Sequence, residues 1–305
     1  MNIDCPVCTS VGVGETYCVV DDFTYYRCAV CESIFIEPEV IIAMDRGEQL
    51  RGYDQNYWQS ELRAARQRSR SDGLARAGEA ILYARREVRR FLDVGAGPGY
   101  LLDQLGLLLP AHADLFHAVE MFPPEEHSSH PNYVIGAAAD LQGPFDAGVC
   151  IEVIEHLTPA MLTELIKGLA LISEADSIWL FNTGMPDYVR HEDPGYLDPR
   201  KRGHIISYGL PGLRKLFESH GFRVSELPGK SFAFIVEYRP TASLSDFSER
   251  FYAPLPANKK LLNIAGLLYL AAFESARSYY FQAQSKQRTE WALALEAELR
   301  ERQPR

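Results

Sequence analysis

The segment FLDVGAGPGY, residues 91–100, has the residue types of a turn that binds a nucleotide-like ligand. An apolar stretch carries an acid, Asp93, near its end, and a leucine-rich stretch follows the turn. Between them, glycines recur at every second position: Gly95, Gly97 and Gly99. Glycine lets a ligand lie against bare backbone, with the N-terminus of the following helix facing it. A nicotinamide-binding turn, G-x-G-x-x-G, would need a glycine where Tyr100 stands, so this pattern departs from that type.

Two acids follow the turn in the order that a nucleoside-binding sheet requires. Glu120 ends the next apolar segment, 21 residues after Gly99, close to the spacing of about 20 residues in dinucleotide folds. A carboxylate at that point can accept hydrogen bonds from both vicinal hydroxyls of a ribose. Asp140 follows the third apolar segment. Either acid alone is most simply a loop residue, but their order behind a glycine turn favours a binding role.

Five of the six cysteines lie in the first 31 residues, and four of them form two C-x-x-C pairs. Cys5 pairs with Cys8 and Cys28 with Cys31, and the 19 residues between the pairs are rich in β-formers and predict a hairpin. Two such pairs complete a tetrahedral zinc site. Four thiolates leave no open coordination position, so we expect a structural zinc whose binding stabilises a small ribbon. A disulfide framework is the weaker alternative in a reducing cytosol.

The elements that would position these residues alternate between strands and helices, the pattern of a parallel sheet covered by helices. Predicted strands cover 90–95, 115–120, 132–135, 146–151, 177–182, 222–226 and 231–238. Predicted helices cover 99–108, 159–172 and 209–220, and residues 40–90 are mostly helical. Thr158 supplies an N-cap for the second of these helices. Two long loops, 123–131 and 184–203, follow strands two and five, and long loops are often binding loops.

Composition and charge restrict the class of protein. A chain of 305 residues with 47% hydrophobic residues can bury a large core. Its net charge of −10 argues against general nucleic-acid binding, which needs a positive field. Residues 61–90 hold nine arginines against four acids, which is most typical of a solvated helix face. The chain opens without an apolar signal segment, and its longest apolar stretch, 261–273, is shorter than the ~20 residues that span a bilayer, so we expect a cytoplasmic protein.

Residues from about 88 to 240 resemble a class I S-adenosylmethionine (SAM)-dependent methyltransferase of the large group that shares D-V-G-x-G-x-G and E-V-I-E-H. The CPVC and RCAVC motifs, followed by Tyr53-Asp-Gln-Asn-Tyr57-Trp58, are similar to the zinc-ribbon leader of many bacterial methyltransferases associated with polysaccharide or natural-product modification. Together the two resemblances cover around four fifths of the chain. They imply a Rossmann-like, doubly wound seven-stranded α/β sheet with an N-terminal zinc ribbon and a helical C-terminal extension.

The predicted organisation has four parts. The zinc ribbon covers 1–40, a helical linker or cap 41–90, the methyltransferase domain 91–240 and the helical extension 241–305. The extension could cover the core, lie on a membrane surface or form a homodimer contact through its helices. Packing on the core or in a dimer is the default expectation for such helices.

The resemblance implies roles for the residues of the glycine turn and the acids behind it. Asp93 would hold the methionine part of SAM together with the three glycines of the turn. Glu120 would hold the ribose and Asp140 the adenine.

The resemblance allows two roles for the E-V-I-E-H segment. Glu152, Glu155 and His156 lie at i, i+3 and i+4 and are near enough to share one face. In metal-dependent relatives the matching residues bind a divalent ion, Mg²⁺ or Mn²⁺, which could orient vicinal hydroxyls of the acceptor and lower the pKa of the attacking one. In many other relatives the segment mainly shapes the SAM pocket. His204 would be a fourth ligand or a base.

Methyl transfer to a hydroxyl needs a general base, and histidine is the usual choice near neutral pH. His156 and His204 are the candidate catalytic residues, and His191 in the second long loop is the third. For any single histidine a structural role is the more common one. Aromatic residues that could form the wall of an acceptor site are Tyr53, Tyr57, Trp58, Tyr188 and Tyr196.

We therefore expect methyl transfer from SAM to a small, hydroxylated acceptor such as a sugar or natural-product intermediate, with O-methylation favoured. One alternative is a divalent-metal-dependent RNA 2′-O-methyltransferase, favoured by E-x-x-E-H and the arginines of 61–90 and opposed by the net acidity. A second alternative is a non-catalytic assembly protein with a vestigial SAM fold, which the intact glycine turn argues against.

Overall fold

A computed structural model describes residues 3–50, 52, 55–227, 229–242, 247–264 and 266–302. Up to residue 83 the elements are β1 (Gly14–Val20), β2 (Phe23–Cys28), β3 (Ile34–Ile36), α1 (Pro38–Asp45), α2 (Gln55–Arg70) and α3 (Asp72–Tyr83). An alternating region follows with β4 (Phe91–Val94), α4 (Tyr100–Leu108), β5 (Phe116–Glu120), β6 (Tyr133–Ile135), β7 (Phe145–Ile151), α5 (Pro159–Leu171) and β8 (Ser173–Asn182). The last elements are α6 (Pro186–His191), β9 (Ile206–Ser207), α7 (Leu210–Glu218), β10 (Phe222–Glu226), β11 (Ala233–Tyr238), α8 (Phe247–Tyr252), α9 (Pro256–Ile264) and α10 (Leu267–Arg302).

The larger sheet carries the candidate ligand-binding residues. In the described residues it has seven strands in the order β10-β11-β8-β7-β4-β5-β6, all parallel except β11. Its central strands β4 and β7 are buried apolar runs, as expected for parallel strands covered by helices on both faces. This arrangement confirms the predicted Rossmann-like sheet of class I methyltransferases.

The order of the strands reverses at β4. From β4 the chain extends the sheet through β5 and β6 on one side, and then through β7 and β8 on the other. Open α/β sheets bind ligands at such a switch point, outside the carboxyl ends of the strands. The glycine turn follows β4, Glu120 ends β5 and Glu152 follows β7, so all three lie at this point.

The N-terminal strands form a second sheet that includes a strand from far along the chain. The hairpin β1–β2 and strand β3 are joined by β9, in the order β1-β2-β3-β9 with antiparallel pairing throughout. The hairpin between the two cysteine pairs is confirmed. Tyr25 and Phe35 of this sheet belong to the same hydrophobic core as Phe181 of β8 and Leu213 of α7. The N-terminal ribbon is thus packed into the body of the protein.

The first turns of the C-terminal helix α10 pack against helix α3. Leu267 and Ala271 are buried against α3, where the backbone of Leu267 approaches Gly78. Further along, Phe273, Trp291 and Leu293 are each more than half exposed. No helix among the described residues is both long enough and apolar enough to cross a membrane.

The predicted cap of α5 is confirmed and gives a test of the fold. The hydroxyl oxygen of Thr158 accepts a hydrogen bond of 3.2 Å from the backbone N–H of Met161, and the side chain is buried. Thr158→Ala is expected to lower the free energy of unfolding by about 1–2 kcal/mol, because the N–H of Met161 loses its acceptor and Asp45 Oδ1 loses the hydroxyl donor. Thr163→Ala, in the second turn of the same helix, is the control. An equal decrease in the free energy of unfolding of the two variants, measured by urea denaturation, would contradict the capping role.

Candidate functional site

The glycine turn lies against its neighbours without room for side chains. The N–H groups of Gly95 and Ala96 both donate to the carbonyl oxygen of Val119, at 2.9 and 3.1 Å. Gly95, Gly97 and Gly99 all have positive φ angles of 54° to 78°. A β-carbon at Gly95 would lie 2.5 Å from Val153 Cγ2, and one at Gly99 would lie 2.7 Å from Ser128 Cβ. Only glycine satisfies both the conformation and the space.

Glu120 is fixed against the turn by both of its carboxylate oxygens. Oε2 accepts a hydrogen bond of 2.8 Å from the N–H of Gly97, and Oε1 accepts one of 2.9 Å from the N–H of Phe122. Each carboxylate oxygen can accept a further hydrogen bond, so the group remains able to receive two hydroxyls. The orientation of the carboxylate is therefore set before a ligand arrives.

Trp58 of α2 covers this part of the site. A β-carbon at Gly97 would lie 3.1 Å from the indole ring of Trp58, and the indole Nε1–H donates to the carbonyl of Phe122 at 3.2 Å. Tyr57 packs edge-on against Trp58, with ring centroids 5.0 Å apart. The sequence placed Trp58 among candidates for the acceptor wall, whereas the structure places it over the glycine turn. Tyr53 lies outside the described residues.

Asp93 is buried in β4, one residue before the end of the strand. Burial, and to a smaller extent the neighbouring charge of Glu120, raise the pKa of Asp93 to about 7. The carboxyl group is thus partly neutral near pH 7 in the unliganded protein. A cationic group placed beside it would favour the ionised form.

Asp140 ends a short 3-10 helix, Ala138–Asp140, beyond β6. Its Oδ2 accepts a hydrogen bond of 2.8 Å from the N–H of Ala137, and its carboxyl group is exposed. The N–H of Gly136, just before this helix, donates to the backbone carbonyl of Glu120. Asp140 therefore lies in the loop that runs beside the end of β5.

The first long loop, 123–131, supports the glycine turn from outside. The N–H of Ser128 donates to the carbonyl of Pro98 at 2.8 Å, and the hydroxyl of Tyr133 donates to the carbonyl of Gly97. His127 stacks on Tyr133 with ring centroids 5.0 Å apart. The contacts of this loop explain how the turn keeps its shape.

Glu152 follows β7 in a conformation that is rare for a residue with a side chain. Its φ angle is +54°, and both its backbone and its side chain are held by Asn182 at the end of β8. Burial, and then the nearby carboxylate of Glu155, raise the pKa of Glu152 to about 8. Strained backbone of this kind is characteristic of functional sites.

Glu155 and His156 lie in a short 3-10 helix, Ile154–His156, and not on an α-helix. Glu155 is fully buried, and its Oε2 accepts a hydrogen bond of 2.9 Å from the hydroxyl of Thr183. Burial raises the pKa of Glu155 above its ordinary value. The spacing of these residues in the sequence therefore does not make a helical face.

His204 joins Glu155 and His156 in one cluster. The imidazole rings of His156 and His204 are 4.9 Å apart, and His204 Nε2 lies 3.8 Å from Glu155 Oε1. One potential ligand atom from each of the three residues lies within 4.8 Å of the others. The sequence groups Glu152, Glu155 and His156 and offers His204 as a fourth ligand or a base. In the structure His204 lies with Glu155 and His156, and the side chain of Glu152 is hydrogen-bonded to Asn182.

The contacts of both histidines select one tautomer. His156 Nδ1 lies 3.0 Å from the carbonyl oxygen of Gly203, and His204 Nδ1 lies 2.8 Å from that of Tyr196. A carbonyl oxygen only accepts, so each neutral ring carries its proton on Nδ1 and presents a lone pair on Nε2. The cluster can therefore take up a proton or bind a divalent cation.

The second long loop contains α6 and is largely packed. The hydroxyl of Tyr196 accepts the N–H of Gly184 at 2.8 Å, and the ring is almost wholly buried against His204. Tyr188 is half-buried between Tyr196 and Phe232 and is more accessible to a ligand. His191, the third candidate base, is exposed at the end of α6 and lies outside the cluster of Glu155, His156 and His204.

The four cysteines of the ribbon converge as the sequence predicts. Sγ of Cys5 lies 3.6 Å from Sγ of Cys31, and Cys8 and Cys28 are separated by the same distance. A disulfide would bring the sulfur atoms to about 2.05 Å. A tetrahedral zinc site with Zn–S bonds of about 2.3 Å separates them by about 3.8 Å, so this cluster fits a zinc ribbon.

Backbone N–H groups point at these sulfur atoms, as they do in a metal knuckle. The N–H groups of Val30 and Cys31 both lie 3.3 Å from Cys28 Sγ. A hydrogen bond from the Cys5 thiol lowers the pKa of Cys31 to about 5, against the opposing effect of burial. At least one thiolate is therefore stabilised by its surroundings.

A family model described as a methyltransferase domain matches residues 62–227, more than half of the chain. The chain belongs to the methyltransferase domain family. The match covers the glycine turn, the acids at the strand ends and the histidine cluster.

Solved structures similar to this methyltransferase have low sequence identity. The amino pentose methyltransferase CalS10 from Micromonospora echinaspora, solved with SAM, is 15% identical over 58% of this chain and 96% of its own, with a TM-score of 0.45. A chain from a Haloferax volcanii complex of a methyltransferase activator with a methyltransferase is 13% identical. The match covers 63% of this chain and 99% of the other, with a TM-score of 0.43. The O-methyltransferase NcsB1 of neocarzinostatin biosynthesis is 20% identical over 49% of this chain and 48% of its own, with a TM-score of 0.37. No curated protein sequence matches the chain significantly.

The raised pKa of Asp93 predicts a pH-dependent stability of the unliganded methyltransferase. The native pKa of about 7 exceeds the ordinary value of 3.8, so ionisation costs stability as pH rises between these values. The free energy of unfolding of Asp93→Asn, relative to that of the wild type, should therefore increase between about pH 5 and about pH 8, by on the order of a few kcal/mol. Asp114→Asn, at an exposed position, is the matched control for urea denaturation. A constant difference between Asp93→Asn and wild type at all pH values would contradict the assignment.

Proposed function

We propose that this protein transfers a methyl group from SAM to a hydroxyl of a small acceptor such as a sugar or a natural-product intermediate. The observation that carries the proposal is the Glu120 carboxylate, which is held against the N–H of Gly97 at the switch point of the sheet. That arrangement offers a nucleoside two acceptor oxygens beside bare backbone. The membership of the methyltransferase domain family gives this site its chemistry.

In this proposal the chain binds SAM along the ends of β4, β5 and β6. Asp93 and the turn formed by Gly95, Gly97 and Gly99 hold the methionine part. Glu120 accepts the ribose hydroxyls and Asp140 lies beside the adenine. Bound SAM supplies a methyl group on a positively charged sulfur.

The histidine cluster takes the proton that the acceptor hydroxyl loses. A new O–C bond forms as the C–S bond breaks, so alignment of the hydroxyl with the methyl carbon provides most of the acceleration. Nε2 of His204 or His156 accepts the hydroxyl proton. Glu155, whose Oε1 lies 3.8 Å from His204 Nε2, stabilises the resulting imidazolium when ionised. Tyr188 lies at the same end of the sheet and is our candidate for contact with the acceptor.

Three of the nine arginines of residues 61–90 bind partners within the protein, which favours a small acceptor over RNA. Arg66 stacks on Tyr100, Arg76 is buried with Glu79, and Arg86 binds Asp146. These guanidinium groups are engaged by the protein itself, and the net charge of −10 opposes a polyanion.

A divalent-metal-dependent reaction is the second candidate, favoured by the convergence of Glu155, His156 and His204. A carboxylate and two imidazoles suit Mn²⁺ better than Mg²⁺, which prefers oxygen ligands. If transfer is lost after chelation and restored by Mn²⁺, with RNA 2′-hydroxyls as acceptors, this second candidate replaces the first. Transfer by the zinc-loaded protein that needs no added Mn²⁺ leaves the histidines as bases.

Zinc in the N-terminal ribbon is part of the proposal. Cys5, Cys8, Cys28 and Cys31 would bind one structural zinc per chain in a reducing compartment, which we propose to be the cytoplasm.

We also propose that α10, with its exposed apolar residues, forms a homodimer contact. A monomeric mass in light scattering at micromolar concentration would exclude that contact.

The zinc assignment predicts a loss of metal on a single substitution. Cys28→Ser removes one of four thiolate ligands and is expected to lower the zinc content from one per chain to near zero, because ribbon folding depends on the full set. Elemental analysis of the purified protein measures this. Cys18→Ser, in the same hairpin but outside the cluster, should retain one zinc. Stoichiometric zinc in Cys28→Ser would refute the four-cysteine site.

The SAM assignment predicts a loss of affinity at Glu120. Glu120→Gln keeps the shape of the side chain but removes the charge that strengthens two hydrogen bonds to hydroxyls, so SAM affinity should fall about 10- to 100-fold. Calorimetric titration gives the affinity, with Glu125→Gln in the neighbouring exposed loop as the control. Unchanged binding by Glu120→Gln would remove this residue from the site.

The catalytic assignment predicts a loss of rate without a loss of SAM affinity. His204→Gln and His156→Gln should lower the transfer rate, and the variant that removes the base should lose about 10²- to 10⁴-fold. The assay uses radiolabelled SAM with a panel of sugars and phenols, and His191→Gln is the control. Full activity in both cluster variants would exclude a histidine base at this site.

A further inference from the structure

The ribbon sheet ends beside the histidine cluster. Its fourth strand, β9, begins two residues after His204 and pairs with β3, with Phe35 opposite Ile206 and Ile34 opposite Ser207. The N–H of Ile36 donates to the carbonyl of Ile205 at 2.9 Å, which extends the ladder toward His204. The backbone that carries this histidine is therefore an extension of the ribbon.

Tyr25 of β2 is hydrogen-bonded to the backbone of His204. Its ring is fully buried, and its hydroxyl donates to the backbone carbonyl of His204 at 2.7 Å. On the other side of the same peptide, the N–H of Ile205 donates to the carbonyl of Glu155 at 2.9 Å. The peptide between His204 and Ile205 is thus held between the ribbon and the E-V-I-E-H segment.

The second cysteine pair holds the far end of β9. The N–H of Gly209 donates to Ser33 Oγ at 2.9 Å, and that same oxygen lies 3.3 Å from Cys31 Sγ. A β-carbon at Gly209 would lie 2.1 Å from the carbonyl oxygen of Cys31, so the two backbones are in close contact. The ammonium group of Lys215 on α7 donates to the carbonyl of Cys8, in the other cysteine pair.

We propose that the metal-loaded ribbon positions His204, and that Tyr25 is the positioning residue through which it does so. A bound metal ion cross-links the two cysteine pairs and so fixes β2 and β3. Those strands in turn fix residues 204–209. The glycine turn is held separately, by Val119 and Glu120 of β5. Metal loading therefore controls the order of the histidine cluster and leaves the SAM pocket unchanged. The catalytic consequence rests on the proposed function, but the structural coupling does not.

The test compares Tyr25→Phe with Tyr26→Phe in the full chain. Tyr26 is the next residue of β2, on the opposite face, where its ring lies 6.1 Å from Phe35. Tyr25→Phe removes only the hydroxyl, so we expect about tenfold faster hydrogen exchange of the amides of 205–209. We also expect shifted imidazole resonances of His204 and His156. Tyr26→Phe should change neither these exchange rates nor these imidazole resonances.

Two further measurements on the same samples separate positioning from a general loss of structure. Zinc content and SAM affinity should both equal those of the wild type in Tyr25→Phe. In the wild type, removal of zinc with EDTA should accelerate exchange at 205–209 and leave the amides of 95–99 as protected as before.

The inference is overturned if Tyr25→Phe retains zinc and shows wild-type exchange at 205–209 and wild-type imidazole resonances. It is also overturned if EDTA accelerates exchange in the ribbon alone. Failure of SAM to bind to the wild type would instead refute the proposed function. The exchange data would still test whether the metal-loaded ribbon holds residues 204–209 in place.

Discussion

The close approach of neighbouring side chains to the bare backbone of residues 95–99 is the constraint on which the site depends. The turn fits between β5, Val153 and the 123–131 loop only because it has no β-carbons at three positions. This packing aligns the ends of β4, β5 and β7 and fixes Glu120 against the N–H of Gly97. A side chain at any of the three glycines would have to displace its neighbours, so the pocket and the packing around it are inseparable.

The second half of the site depends on contacts between distant parts of the chain. Glu155 and His156 come from the end of β7, whereas His204 comes from a segment whose backbone is shared with the ribbon. In the proposed function the glycine turn binds the methyl donor, and the histidine cluster takes the proton of the acceptor. The glycine turn is supported by the larger sheet, whereas the histidine cluster combines a segment of the larger sheet with a segment of the ribbon sheet.

Local patterns predicted most of the fold, and non-local contacts account for what they missed. The glycine turn, the cap at Thr158 and the cysteine pairs all have signals within a few residues, and the structure places them as expected. Strand β8 begins at Ser173, four residues before the predicted start, because Ser-Glu-Ala-Asp carries no β-forming pattern. β9 has only two residues and exists because β3 pairs with it, so no periodicity reveals it. The position of Trp58 over the glycine turn follows from such contacts.

The central claim is that the glycine turn and Glu120 form a SAM pocket. The most direct measurement is calorimetric titration of the zinc-loaded wild-type protein with S-adenosylhomocysteine, with NADH in a parallel titration. The account predicts one S-adenosylhomocysteine site per chain with a sub-millimolar dissociation constant and no binding of NADH. Absence of S-adenosylhomocysteine binding at sub-millimolar concentration, or equal binding of NADH, would contradict it.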